Sequence, residues 1–102
     1  MQARGRSGLG QPYEVAIVGV GGQLAVRLEE VSLLFAKKSE PPATTQGLKR
    51  RAQSDRDVFL RVLRARGFYE GTVIADVDVS KSPARVSMKV DWETFPQYLD
   101  RL

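Results

Sequence analysis

Two aspartates one residue apart, Asp76 and Asp78, come nearest in this sequence to a catalytic pair. In an extended strand they share a face, ~7 Å apart by strand rise. Paired carboxylates at that range can do acid–base work or hold a cation loosely. No cleft-forming loops flank them, and catalysis needs a concave site, so the solubility of a strand accounts for them. Tyr69 could serve as a general acid, but its place at a helix–strand corner reads as a packed ring. Gly19-Val20-Gly21-Gly22 lies between a strand and a helix, where phosphate-cradling loops occur. It fits neither G-x-G-x-x-G nor G-x-x-x-x-G-K-[ST], and a tight turn is the plainer reading. The chain has no histidine and no cysteine. That removes the usual zinc ligands, thiol chemistry, Ser-His-Asp and Cys-His catalysis, and disulfides. The expectation is therefore a non-enzyme without catalytic residues, metal or cofactor.

The charge is more informative. Of a formal +4 over 102 residues, residues 49–66 alone hold seven basic and two acidic side chains, a net +5. Arg50, Arg61 and Arg64 fall on one face of a helix there, opposite Leu48. Such a row can meet a partner protein, anionic lipid or nucleic acid, or can simply be a solvated face. Few aromatics accompany it and no nucleic-acid motif is present.

The elements that position these residues follow from periodicity. Tyr13 to Val20 alternates as a first strand and ends at Gly21-Gly22. Gln23 to Lys38 has Leu24, Leu28, Val31, Leu34 and Phe35 at helical spacing, with Lys37 and Lys38 at the C-terminal end, where cations suit the helix dipole. Ser39-Glu40-Pro41-Pro42 cannot continue a helix. Thr44 or Thr45 caps a second helix that runs to about Arg66. Its stripe is Leu48, Ala52, Phe59, Val62 and Leu63. Asp55 lies beside that stripe and, if buried, needs a partner: Arg51 one turn earlier, or a backbone amide.

The stretch from Leu60 to Val79 is the hinge of the architecture. Gly67 sits where a helix end requires positive φ. Phe68 and Tyr69 follow, with at least one ring buried at the corner, and Gly71 marks the turn. Strand two, Thr72 to Ser80, puts Val73, Ala75, Val77 and Val79 on one face and Asp76 and Asp78 on the other. After Lys81-Ser82-Pro83-Ala84, strand three runs from Arg85 to Trp92, with Val86, Met88, Val90 and Trp92 inward. The reading is an α+β fold of order β-α-α-β-β, with two antiparallel helices packed on one face of a three-stranded mixed sheet. Strand three would be central and strand two an exposed edge, with backbone groups open to a partner strand or blunted against one. Thr72, Ile74, Asp76 and Asp78 on that edge, with Arg50, Arg61 and Arg64, are the candidate partner-binding residues. Residues 1–11 read as a flexible leader, 12–92 as the domain, and 93–102, with Phe95, Tyr98 and Leu99, as a tail or a linker toward a following module. No transmembrane run and no signal peptide is visible; an exported protein would here be a mature fragment restarted at Met1.

These residues resemble a known family. Tyr13-Glu14-Val15, Leu28-Glu29-Glu30-Val31-Ser32, Pro41-Pro42-Ala43-Thr44, Leu48-Lys49-Arg50-Arg51-Ala52 with Asp55, and the run from Leu63 to Val73 through Gly67-Phe68-Tyr69-Glu70-Gly71 are similar to the POTRA (polypeptide-transport-associated) domain. Within that family they look most like the first POTRA domain of TamA-type outer-membrane translocation and assembly proteins. The chain departs from the pattern after strand three, where Trp92-Glu93-Thr94-Phe95-Pro96-Gln97-Tyr98 stands in place of Gly-Pro-x-Tyr.

The resemblance implies a periplasmic docking module of an outer-membrane protein in a Gram-negative bacterium. Its implied partners are a TamB-like inner-membrane protein, adjacent POTRA domains and outer-membrane clients, with no nucleic acid. The rival readings are a small basic domain for nucleic acid or anionic lipid, and a POTRA domain of a division or two-partner-secretion protein.

Overall fold

Alternating β-branched residues build three strands, and apolar residues at helical spacing build the layer that covers them. A computed structural model describes residues 11–92. Strand β1 spans Tyr13–Val18, followed by helices α1 (Gly22–Val31), α2 (Leu33–Ala36) and α3 (Thr45–Ala65), then strands β2 (Thr72–Asp78) and β3 (Ala84–Asp91). The sheet order is β1-β3-β2, with β3 parallel to β1 and antiparallel to β2. The fold is thus α+β with a mixed sheet, and β2 is an edge.

One core joins the layers. Leu28, Leu34, Leu48, Ala52, Phe59 and Leu63 from the helices meet Tyr13, Val73, Ala84, Val86, Met88 and Val90 from the strands. Helix α3 lies chiefly along β2. Thr44 is the cap of α3, its hydroxyl accepting from the Gly47 amide at 3.0 Å. At the other end Gly67 has φ +93°. The Phe68 amide donates to the Leu63 carbonyl at 2.9 Å and the Gly67 amide to that of Arg64 at 3.0 Å, the paired bonds of a Schellman stop.

Several elements differ from expectation, each for a local reason. The first helix is two, because Ser32 adopts an extended conformation (φ −81°, ψ 126°) under the hold of Asp55, described below. Strand one stops at Val18 because Gly19 turns at φ +98°. Strand two stops at Asp78, whose side chain bonds Ser80 instead of extending the ladder; Val79 is accordingly exposed rather than inward. Tyr69 is not packed: it is 73% exposed. Phe68 takes the corner instead, edge-on to Trp92 with ring centroids 5.1 Å apart. Trp92 is half-buried and donates its indole N–H to the Gly19 carbonyl at 3.0 Å, joining the corner to the end of β1. Gln11, placed with the leader by sequence, is tied to the domain by its amide bond to the Pro42 carbonyl at 2.6 Å. The rest of the leader and the tail with Phe95, Tyr98 and Leu99 lie outside the described residues.

Candidate functional site

Both outer strands, β1 and β2, have one unpaired side among the described residues. The rim on β2 is the one beside helix α3, and ladder parity says which residues present it. The Ala84 amide donates to the Pro12 carbonyl in β1's direction at 3.0 Å. Along a strand, backbone groups alternate in the direction they face. Ala84, Val86, Met88 and Val90 therefore serve β1, and Arg85, Ser87, Lys89 and Asp91 serve β2. Their opposite numbers on β2 are Asp78, Asp76, Ile74 and Thr72. The N–H and C=O groups of Val73, Ala75 and Val77 thus face outward from the sheet.

This assignment refines the edge inferred from sequence. Thr72, Ile74, Asp76 and Asp78 are all exposed, on the sheet face away from the helices, but their backbone groups are used by β3. Ile74 is 61% exposed and would reach a partner by its side chain only. Asp76 and Asp78 remain on one exposed face of β2. The Asp78 carboxylate accepts from the Ser80 hydroxyl at 2.6 Å and amide at 2.9 Å. Those bonds, the hydroxyl's first, lower its pKa from the ordinary aspartate value by favouring the charged form.

Beside the edge runs a groove of about 200 Å³ lined by Lys49, Ala52 and Gln53 of α3 and Ala75 and Val77 of β2. It exists because two alanines face each other where larger side chains would close the layer. Small-molecule sites usually exceed ~300 Å³; this one has room for a side chain or two. Lys49 stands at the Val77 end. Arg56, outside the lining, reaches the same strand, its Nε donating to the Val73 carbonyl at 3.0 Å. Sequence reasoning missed Lys49, Gln53 and Arg56 as a row. The signal was available: at 100° per residue they fall within about one-sixth of a turn, between the apolar stripe and the exposed arginines.

Arg50, Arg61 and Arg64 are exposed on α3 as the wheel requires, on the row next to the groove. They are not brought onto the β2 edge itself. Among the described residues, no group of three or more His, Cys, Asp or Glu side chains could hold a metal. The turn at Gly19-Val20-Gly21-Gly22 serves close packing. A Cβ on Gly19 would stand 2.1 Å from the Val90 carbonyl oxygen, so only glycine fits there.

On the opposite flank of α3, polar side chains are spent on the protein itself. Asp55 is fully buried and accepts from the Ser32 hydroxyl at 2.6 Å, the Leu33 amide at 2.8 Å and the Leu34 amide at 3.0 Å. Of the two partners sequence left open for it, the backbone amides are right. Arg51 instead donates to the carbonyls of Lys37 at 3.2 Å and Glu40 at 2.7 Å, and to the Tyr13 hydroxyl at 3.4 Å. One side chain grips the start of α2 and the other the segment just past its end, each with the charge that the local backbone dipole favours.

No family model matches the chain, and no curated protein or solved structure matches it. No helix among the described residues is long and apolar enough to cross a membrane.

Proposed function

We propose that the domain is a protein-docking module of the POTRA type, whose β2 edge and adjoining groove receive an extended segment of another protein by strand addition. The observation that carries this reading is the open rim of Ala75 and Val77 lying beside a groove of side-chain size. Main-chain pairing would supply affinity, and the groove would sort the alternate side chains that point into it. The Gly67-Phe68 corner supports it by setting where β2 begins. On this reading the chemistry is positioning rather than bond-making. The setting is the periplasmic part of an outer-membrane assembly factor of TamA type, with an inner-membrane TamB-like protein, sister domains and barrel clients as partners.

The test is a photo-crosslinking side chain placed at Gln53, with the domain in its full-length parent in the periplasm. Adducts with envelope proteins are expected, and Val77→Pro should abolish them. The Val77 N–H faces outward, so the proline removes a docking donor and leaves the β2–β3 ladder intact. Ile74→Pro, by contrast, breaks that ladder and should unfold the strand. Adducts that survive Val77→Pro in a domain with unchanged circular dichroism would rule out strand addition. Tight, salt-steep binding of nucleic acid or anionic vesicles would favour the basic-surface reading instead.

A further inference from the structure

The Arg56 guanidinium does something specific at the edge: it occupies an acceptor that an incoming strand would otherwise use. We infer, resting on the strand-docking reading, that Arg56 sets the register of the added strand, and that the segment accepted carries carboxylates on its inward side.

The register follows from which groups are vacant. Ala75 and Val77 offer both N–H and C=O to the outside, whereas the Val73 carbonyl is held by Arg56 at 3.0 Å. An added strand pairs with Ala75 and Val77 and stops at Val73, where it would have to displace the guanidinium to continue. Long side chains lying along a sheet edge are a common way to limit pairing. Here the block covers one end of the edge and leaves the other end open.

The charge follows from the walls. In either strand direction, a residue paired beside Ala75 or Val77 sends its side chain to the same sheet face as theirs. That face is the helix side, where Lys49 and Arg56 bracket the uncharged Gln53. Arg56 has Asp57 beside it at 3.5 Å, while Lys49 has no ion-pair partner among the described residues. The residues between point the other way, toward Ile74, Asp76 and Asp78. Carboxylates are repelled there, and an apolar side chain can cover the exposed Ile74. The complementary segment is therefore an extended one with acidic side chains inward and apolar side chains outward.

The experiment uses the full chain, uniformly labelled for amide exchange by NMR. One probe is an eight-residue acetylated peptide alternating glutamate and valine; the other replaces each glutamate with lysine. The acidic peptide should protect the amides of Ala75 and Val77 and leave that of Val73 exchanging. It should bind about tenfold more tightly than the lysine peptide at low salt, an advantage that shrinks as salt rises. Arg56→Ala, with Arg56→Gln as a second variant, should extend protection to Val73. Protection of Val73 already in the wild type, or none in either folded variant, would overturn the register role of Arg56. Equal binding of the two peptides would overturn the inward charge. Absence of protection at Ala75 and Val77 with both peptides would overturn strand addition itself, a separate failure from the other two.

Discussion

The two flanks of helix α3 use the same kinds of residue to opposite ends. On the α2 flank, Arg51 and Asp55 stand one turn apart and spend their polar groups on the protein itself. On the β2 flank, Lys49 and Gln53 border a groove and Arg56 bonds the strand beside it, where the backbone is mostly unpaired. Arginine at 51 stitches a loop to the helix; arginine at 56 covers a single carbonyl on a rim. At Asp55 the difference is one of burial; between the two half-buried arginines it is the number of partners. A buried polar group must be satisfied internally, because water cannot repay its lost solvation. A rim group may stay open, since water pairs with it until a partner arrives. Stability should therefore concentrate on one flank and binding on the other.

The largest expected effect tests that division directly. Asp55→Ala leaves the Ser32 hydroxyl and the Leu33 and Leu34 amides without their acceptor in a dry site. A loss of about 3–5 kcal/mol is expected, a large fraction of the ~5–15 kcal/mol that holds an ordinary domain together. Urea denaturation would measure it. Asp55→Asn keeps one acceptor oxygen and should lose about half as much. If Asp55→Ala cost less than ~1 kcal/mol, on the scale of a surface substitution, the hold on α2 would be incidental.

Next comes the arginine pair. Arg51→Ala removes donors to two carbonyls and a tyrosine hydroxyl across three segments, and should cost about 1–3 kcal/mol. Arg56→Ala removes one exposed-edge bond and a neighbouring ion pair, and should cost about 0.5–1 kcal/mol. Side-by-side denaturation curves decide it. The contrast fails if the two costs are equal or reversed.

Much of this was legible beforehand, and the exceptions are instructive. Gly67 after Leu63, the Pro41-Pro42 break and the Val73–Val77 alternation act through neighbours in the chain, so local rules capture them. The break at Ser32 is different. Leu28, Val31, Leu34 and Phe35 keep helical spacing straight through it, and its cause lies 23 residues away in Asp55. A serine able to cap was present, its Oγ accepting from the Phe35 amide at 3.2 Å, but serine is common inside helices too. Tyr69 misled because an aromatic type does not reveal which of two adjacent rings a corner has room for. The groove was hidden because it is made by what Ala52 and Ala75 lack, and their facing each other depends on the strand register.

The smallest effect concerns the outer face of β2, and it separates a rim that is merely polar from one that is shaped. Asp78 is exposed, and the Ser80 hydroxyl and amide hold its carboxyl below the ordinary range. The folded-state pKa is depressed, so the associated stabilisation is present above the unfolded value near 3.8. It is lost as the pH falls through the lower folded value. Carboxyl NMR should show Asp78 titrating below an ordinary aspartate, and Ser80→Ala should move it up, because the hydroxyl is the larger cause. Neither change should move the Asp55→Ala cost measurably, since the two sites share no partner and distant sites add. An upward shift in Asp78 that also weakened the α2 hold would mean the two flanks of α3 are coupled, and the division of labour between them would be wrong.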